Sequence, residues 1–221
     1  MNPQVNILVR TSNRPNYLHD CLQSIWNQTY PNIKIWLHSE GTCGFEENVD
    51  VCVINNCPTI RDNNKTYQDR GHTCKHAPYN LYLNTLSKMV DSGYIMYLDD
   101  DDMLASNDVI EQLASYMRDD KVILFDGAFG SKVLPTPKAI NNLTNHQQAE
   151  IGTIGGRCFA FPHYKFNKKY YIEWDEFTCS DNRLINKLAS WNFNDIIHVP
   201  ILATKAQSVV AGGGNKKDKA L

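Results

Sequence analysis

The amino-acid sequence predicts an α/β fold built around a mostly parallel sheet. Over residues 5–125, short apolar runs rich in β-branched residues alternate with stretches whose apolar residues recur every three or four positions, as in strands followed by amphipathic helices. Hydrophobic residues make up 42% of the 221 residues, which is enough for one sizeable core. Polar clusters at 11–14, 39–41 and 99–102 each follow a predicted strand. Because such sheets bind ligands beyond the carboxyl ends of their strands, we expect these clusters to share one edge.

The elements of the first half follow from periodicity and from helix-starting residues. The run at 5–9 predicts a strand, and Pro15 suits the first turn of an amphipathic helix at 16–28. Apolar and polar residues alternate at 33–37, which predicts the second strand. The polar segment 55–75 has no periodicity and predicts a long loop. The other elements expected here are strands at 49–54, 94–98 and 122–125 and helices at 78–91 and 107–118.

The second half is patterned more weakly. Residues 126–153 form a polar stretch without a clear element, and 155–161 predict a strand entered through a flexible turn. Ser180 is expected to cap a helix at 181–191, and 196–199 predict the last strand.

Bulk composition limits the expected partners. The formal net charge is −2, so bulk electrostatics favour neither nucleic acid nor a membrane surface. The first residues do not form a signal peptide, and no apolar run reaches the roughly 18 residues of a transmembrane segment. Seven cysteines, an odd count, favour reduced thiols and a cytoplasmic location. Residues 212–221 predict a flexible Gly/Lys-rich tail or a linker to further domains, which leaves 1–211 as a single domain.

The run Asp99–Asp102 is the strongest functional signal in the sequence. Adjacent carboxylates at the end of a buried strand repel one another and lose solvation, so a fold tolerates them mainly where a cation offsets the cost. Hard cations such as Mg²⁺ or Mn²⁺ prefer oxygen ligands and are commonly shared with substrate phosphates. Alternation along an extended chain aims Asp99 and Asp101 one way, while Asp100 and Asp102 face the other way and are free to cap the next helix. The alternative is a solvated acidic turn.

Two segments resemble the family-2-type glycosyltransferases with the GT-A fold. Residues 7–32, which read ILVRTSNRPNYLHDCLQSIWNQTYPN, are similar to the opening of that family, and residues 94–104, which read YIMYLDDDDML, are similar to its DxD-bearing strand. The resemblance implies a GT-A three-layer α/β/α fold with a mostly parallel mixed sheet. It also implies transfer of a sugar from a nucleoside-diphosphate sugar, in this case a UDP-sugar, to a glycan or glycoconjugate hydroxyl, with inversion at the anomeric carbon and with Mn²⁺ or Mg²⁺ as cofactor.

The same resemblance implies roles for individual residues. Asp101 would be the direct metal ligand, with Asp99 nearer the ribose or sugar, and Asp181 would be the base that accepts the acceptor's proton. Asp175 or Glu176 is the reserve for that base. The residues that would contact the donor are Thr11, Ser12, Asn13, Arg14, Glu40, Arg70, Asn80, Asp99 and Asp100.

Several alternatives remain open at this point. A nucleotidyltransferase also combines an α/β sheet with paired aspartates, although its usual Gly-rich basic loop is absent after the first strand, and a nucleotide-sugar-binding module without turnover is possible too. Asp181 could merely cap its helix, and Trp174 could stack on an acceptor sugar or pack in the core. The cysteines and histidines at 52–76 fit no standard zinc spacing, and His198 is either a late metal ligand or a half-buried strand residue.

Overall fold

A mixed β-sheet forms the middle layer of the protein. The structure is a computed structural model, and it describes residues 3–12, 14–56, 60–163, 172–191 and 195–207. Within those ranges the sheet has nine strands, and a separate two-stranded hairpin lies beside it. The strands of the sheet are β1 (Val5–Thr11), β2 (Ile33–Glu40), β3 (Val51–Asn55), β6 (Tyr94–Asp99), β7 (Asp102–Leu104), β8 (Lys121–Phe129), β9 (Lys132–Leu134), β10 (Phe159–Pro162) and β11 (Asp195–Ala206), and those of the hairpin are β4 (Thr66–Asp69) and β5 (His72–Lys75).

Strand order places the amino-terminal half at one side of the sheet. The order is β3-β2-β1-β6-β10-β8-β11-β7, with β9 paired to β8. Strands β3, β2, β1 and β6 are parallel to one another, and β11 is parallel to β8. Strand β10 is antiparallel to both β6 and β8, and β7 is antiparallel to β11. The predicted mostly parallel mixed sheet is thereby confirmed.

Helices cover both faces of the sheet. The helices are α1 (Pro15–Trp26), α2 (Leu81–Met89), α3 (Val109–Ala114), α4 (Pro137–Thr144) and α5 (Ser180–Ser190). Helices α1 and α3 contribute to one buried cluster with alternate strand residues such as Ile7 and Met96. Helices α2, α4 and α5 contribute to a second cluster with residues of the opposite parity, such as Leu8 and Ile95. Because successive strand side chains point to opposite faces, one apolar strand supplies both cores of the predicted three-layer fold.

The segment 55–75 is where the predicted fold differs most from the structure. Instead of an unstructured loop it contains the β4–β5 hairpin. Arg70 and Gly71 form its two-residue turn and have φ values of 47° and 82°. Two-residue hairpin turns of type I′ require positive φ at both central positions, which favours glycine there. Gly71 was therefore the residue in this segment that could have indicated a hairpin.

Helix α4 and strand β11 also differ from the prediction. Helix α4 lies inside the stretch 126–153, where Thr136 Oγ1 accepts a hydrogen bond from Ala139 N at 3.3 Å and Pro137 occupies the first turn. It was missed because it buries only Ala139 and Leu143, which is too thin a stripe to show as periodicity. Strand β11 is longer than the predicted 196–199, since it continues beyond a register shift after Val199 to pair with β7.

The two remaining predictions on chain organisation concern membrane-spanning segments and the carboxyl-terminal tail. Among the described residues, no helix is long and apolar enough to cross a membrane. The expected tail at 212–221 lies outside the described residues, so the domain boundary at 211 stays a prediction.

Candidate functional site

The polar ends of β1, β2 and β6 meet at one edge of the sheet. Arg10 on β1 is directly opposite Asp99 on β6, and Thr11 is opposite Ser39 on β2. Strands β1 and β6 are mostly apolar and buried up to this edge, which fixes their register and brings their polar residues out together. The shared edge expected from the sequence is thus observed.

Arginines partner all four aspartates, since Nη1 of Arg14 also lies 3.6 Å from Asp101 Oδ2. Nε and Nη2 of Arg10 donate to the two carboxylate oxygens of Asp99 at 2.7 and 3.2 Å. Arg14 donates to both oxygens of Asp100, and Nη1 of Arg157 donates to Asp102 Oδ1 at 2.5 Å. A divalent cation is therefore not the sole way in which this fold offsets carboxylate repulsion, contrary to the sequence argument, because guanidinium groups already neutralise much of it.

Asp99, Asp101 and Asp102 nevertheless form a group that suits a hard cation. One carboxylate oxygen from each lies within 4.8 Å of the other two. The expected alternation fails here because residues 100 and 101 form a turn rather than extended strand. Asp102 therefore joins this acidic group and begins β7, and it does not cap a helix, since α3 starts only at Val109.

Asp100 is buried against the loop that follows β1. It is 1% exposed, and its Oδ2 accepts from Thr11 Oγ1 at 2.7 Å and from Arg14 Nε at 3.0 Å. Burial raises the pKa of Asp100 to about 6, while Arg14 and Thr11 act to lower it, so the carboxylate is ionised at neutral pH. Asp100 thereby fixes the first-strand loop that was expected to hold the donor. Asn13 of that loop lies outside the described residues.

Glu40 is held beside the same loop. Its Oε2 accepts from Ser12 Oγ at 2.6 Å and its Oε1 accepts from Tyr82 Oη at 2.5 Å. The Tyr82 ring stacks on His38, with centroids 4.1 Å apart and planes 4° apart. Tyr82 and His38 were not singled out in the sequence, because helical spacing alone marks Tyr82 as a core residue.

Asp181 lies across the site from the aspartate run. It stands in the first turn of α5, where Oδ1 accepts from Asn182 N at 2.8 Å and Oδ2 from Gly156 N at 3.1 Å. Burial raises the pKa of Asp181, the two backbone N–H groups lower it, and Asp99 raises it further, with a net upward shift. A carboxylate with a raised pKa is a better proton acceptor.

The reserve candidates for the base lie elsewhere. Asp175 is held by Nε and Nη2 of Arg183 at 2.6 and 2.7 Å, and Glu176 contacts Lys65 and His76. Neither lines the cavity that contains Asp181. Ser180 was expected to cap α5, but the helix begins at Ser180 itself, and its Oγ accepts a hydrogen bond from Asp175 N at 2.8 Å rather than from the first turn of the helix.

Two adjoining cavities open at this edge. The Asp181 cavity is lined by Asp181, Asn80, Tyr97, Gly156 and Trp174 among others. The Ser12 cavity is lined by Thr11, Ser12, Arg14, Tyr82, Asp100 and Asp101 among others. Arg10, Tyr79 and Asp99 line both cavities. The two cavities therefore adjoin at these three residues.

Arg70 is not positioned for its expected phosphate contact. It lies in the hairpin turn, donates to Asn182 Oδ1 at 2.6 Å and lines a separate surface pocket with Arg183. The sequence assigned it to the site because 55–75 was taken as a loop free to fold over the donor. Asn80, in contrast, does line the Asp181 cavity, and its Oδ1 accepts from Arg10 Nη1 at 2.6 Å.

Arg10 and Arg157 are the site residues that sequence reasoning missed. Arg10 precedes the polar loop by one position, and its contact with Asp99 follows only from strand register. Arg157 reaches Asp102 from 55 residues further along the chain, so no local pattern marks it.

The other candidate residues from the sequence do not form a second metal site within the described ranges. Among the described residues, the acidic group at Asp99 is the one cluster that suits a metal. Nε2 of His198 lies 2.9 Å from Asp126 Oδ1, in agreement with a strand residue. Trp174 is 6% exposed, packs edge-on against Tyr97 and also lines the Asp181 cavity.

Comparison with known proteins identifies the fold. No protein-family model matches the sequence, and no curated protein matches it significantly. Solved structures do match in three dimensions. S. aureus TarS 1-349 in complex with UDP has a TM-score of 0.66 at 14% identity over 92% of this chain and 60% of that chain. The same protein in complex with UDP-GlcNAc has a TM-score of 0.63 at 13% identity over 92% of this chain and 58% of that chain.

A mannosyltransferase gives the same result. PcManGT from Pyrobaculum calidifontis, in complex with GDP-Man and Mn²⁺, has a TM-score of 0.60 at 13% identity over 97% of this chain and 59% of that chain. The chain spans about 60% of the length of these structures, and 37% of a longer TarS structure. The fold is thus the GT-A type of these glycosyltransferases.

Proposed function

We propose that this protein is a glycosyltransferase that moves a sugar from a nucleoside-diphosphate sugar to a hydroxyl of a glycan or glycoconjugate. One observation carries the proposal: Asp99 and Asp102 of the acidic group line the same cavity as the buried carboxylate of Asp181, and the third member, Asp101, lines a second cavity that adjoins it at the end of β1. That arrangement offers separate places for the nucleotide, the sugar and the attacking hydroxyl. The presence of nucleotide sugars in similarly folded structures supports it.

The Ser12 cavity is the proposed site of the nucleotide. Glu40, held by Ser12 and Tyr82, offers only acceptor oxygens, so it favours a base with a ring N–H. Uracil and guanine both have one, and TarS and PcManGT are seen with UDP and GDP-Man. We take the donor to be a UDP-sugar, with Thr11, Ser12, Asn13 and Arg14 forming the loop around the nucleotide.

Asp101 and Asp99, joined by Asp102, are the proposed ligands of Mn²⁺ or Mg²⁺. Three carboxylates within 4.8 Å of one another match the oxygen ligands that hard cations prefer. When bound, such a cation neutralises charge on the departing diphosphate.

Asp181 is the proposed base. Its carboxylate borders the cavity opposite the acidic group, and burial raises its pKa, so it can accept the proton of the acceptor hydroxyl as that oxygen attacks the anomeric carbon. A single displacement of this kind inverts the anomeric configuration. The acceptor enters beside Lys132 and Phe129, which line a cavity that shares Asp181, Arg157 and Asp99 with the first.

A panel of UDP-, GDP- and ADP-sugars, each with and without Mn²⁺, tests the proposal. We expect a uridine or guanosine donor to raise the thermal unfolding midpoint, because a ligand that binds only the native state stabilises it by mass action. The stabilising donor should then release its nucleoside diphosphate slowly, and NMR of the released sugar should show inversion. A panel in which no donor binds would refute the proposal, and retention would refute the single displacement.

A further inference from the structure

Arg10 is the cation at the junction of the two cavities. It lies on β1, opposite Asp99 on β6. Arg10, Asp99 and Tyr79 each line both cavities. Arg14 lines the Ser12 cavity and Arg157 the Asp181 cavity, but neither lines the other. Among the described residues, Arg10 is therefore the arginine that borders both cavities.

The guanidinium of Arg10 is held in one orientation. Its Nε and Nη2 donate to Asp99, and its Nη1 donates to Asn80 Oδ1 at 2.6 Å. Asn80 is fixed in turn, since its Nδ2 donates to the carbonyl oxygens of Asp175 and Phe177 at 3.0 and 2.7 Å.

Two aromatic rings enclose the same group. The guanidinium carbon lies 5.0 Å from the Tyr79 ring centroid and 5.6 Å from that of Trp174. Such contacts favour a planar cation and add to the hydrogen bonds that fix its position. The side chain is thus preorganised to present N–H donors at the junction.

We propose that Arg10 binds the diphosphate of the donor and stabilises it as the leaving group. This inference rests on the proposed function: with the nucleoside in the Ser12 cavity and the sugar in the Asp181 cavity, the diphosphate lies at the junction. Asp99 is the other charged residue lining both cavities, and it repels phosphate. Arg10 has five N–H groups and gives three of them to Asp99 and Asn80, so Nη1 and Nη2 each keep one N–H that can donate to the non-bridging phosphate oxygens.

The chemistry requires a cation at that place. As the bond between the anomeric carbon and the phosphate oxygen breaks, its electron pair stays on the diphosphate, whose negative charge increases. A guanidinium fork donates two parallel hydrogen bonds to phosphate, and a lysine ammonium cannot reproduce that geometry. Loss of one preorganised donor to developing charge typically lowers kcat by about 10²–10³-fold.

The test compares nucleoside diphosphate with nucleoside monophosphate. Calorimetry in Mg²⁺ gives Kd for UDP and UMP, and for GDP and GMP, with wild type, Arg10→Gln and Arg10→Lys. We expect Arg10→Gln to reduce the preference for diphosphate by about tenfold or more while the monophosphate Kd changes by less than about threefold. Arg10→Lys should reduce that preference by about threefold. Arg118→Gln is the matched control, because Nη1 of Arg118 donates to the backbone carbonyls of Ser115 and Met117 and the residue lines neither cavity.

The outcomes separate this inference from the proposed function. Wild-type protein that binds none of the four nucleotides refutes the proposed function itself. A wild-type preference for diphosphate that survives in Arg10→Gln overturns the role of Arg10, as does an equal loss for mono- and diphosphate, which marks a purely structural residue. If Arg10→Gln fails to fold, Arg10→Lys decides, and an unchanged preference there overturns the inference.

Discussion

Acidification should destabilise this protein through His38. The side chain is 4% exposed on β2, and its ring stacks on Tyr82 beside the Ser12 cavity. Among the described residues, Nδ1 of His38 has no hydrogen-bond partner. Burial lowers the pKa of His38 from 6.5 to about 4, with Glu40 opposing the shift.

The sign and size of the effect follow from proton linkage. Because the pKa is lower in the folded state, the unfolded chain binds the proton more readily between pH 6.5 and pH 4. The stabilisation is complete above pH 6.5 and is lost as the pH falls towards 4. The two pKa values give a loss of about 2 kcal/mol at pH 5 and about 3 kcal/mol at still lower pH.

Urea unfolding measures this loss directly. Free energies of unfolding are compared at pH 7.5 and pH 5.0 for wild type and for His38→Phe, which keeps a ring against Tyr82 but cannot titrate. Carboxylates elsewhere contribute equally to both proteins, so the change in their difference isolates His38. That difference should shift by about 2 kcal/mol in favour of the variant at pH 5. A difference independent of pH would refute the reasoning.

Three further predictions concern the site. Asp181→Asn should lower kcat by about 10²–10⁴-fold while the donor Kd changes little, and near-normal turnover by the folded variant would exclude Asp181 as the base. Asp101→Asn should weaken Mn²⁺-dependent donor binding in calorimetry by about tenfold, whereas the exposed Asp108→Asn serves as control; equal binding by all three proteins would contradict the metal assignment. Gly156→Ala should cost about 1–3 kcal/mol in urea unfolding, because its Cβ would lie 2.9 Å from Trp174. Gly155→Ala, whose Cβ meets only a sulfur at 3.8 Å, should be nearly neutral, and equal stability of the two variants would exclude the clash.

Strand periodicity made the edge of the sheet predictable. The apolar runs before Thr11, Glu40 and Asp99 mark where each parallel strand leaves the core, so their polar ends had to meet. The fold class followed from the same pattern. The orientation within Asp99–Asp102 did not, because a turn replaces extended chain at residue 100.

Long-range contacts limited what the sequence could show about the site. The partners of the aspartates are set by register and by loops that return from the second half of the chain, as with Arg157. Arg70 was misplaced for the opposite reason, because the polar strands of its hairpin lack the apolar alternation that predicts a strand.

The two reversed strands give this edge of the sheet a particular architecture. Because β10 and β7 run against their neighbours, they deliver their beginnings, rather than their ends, to the edge where the parallel strands finish. Asp102 is the first residue of β7 and Arg157 lies just before β10, so their ion pair joins two strand entrances. The segment leading into β10 can therefore change length without shifting the register of any parallel strand. The residues proposed to contact the acceptor can therefore vary in that segment while the residues proposed to contact the donor keep their positions.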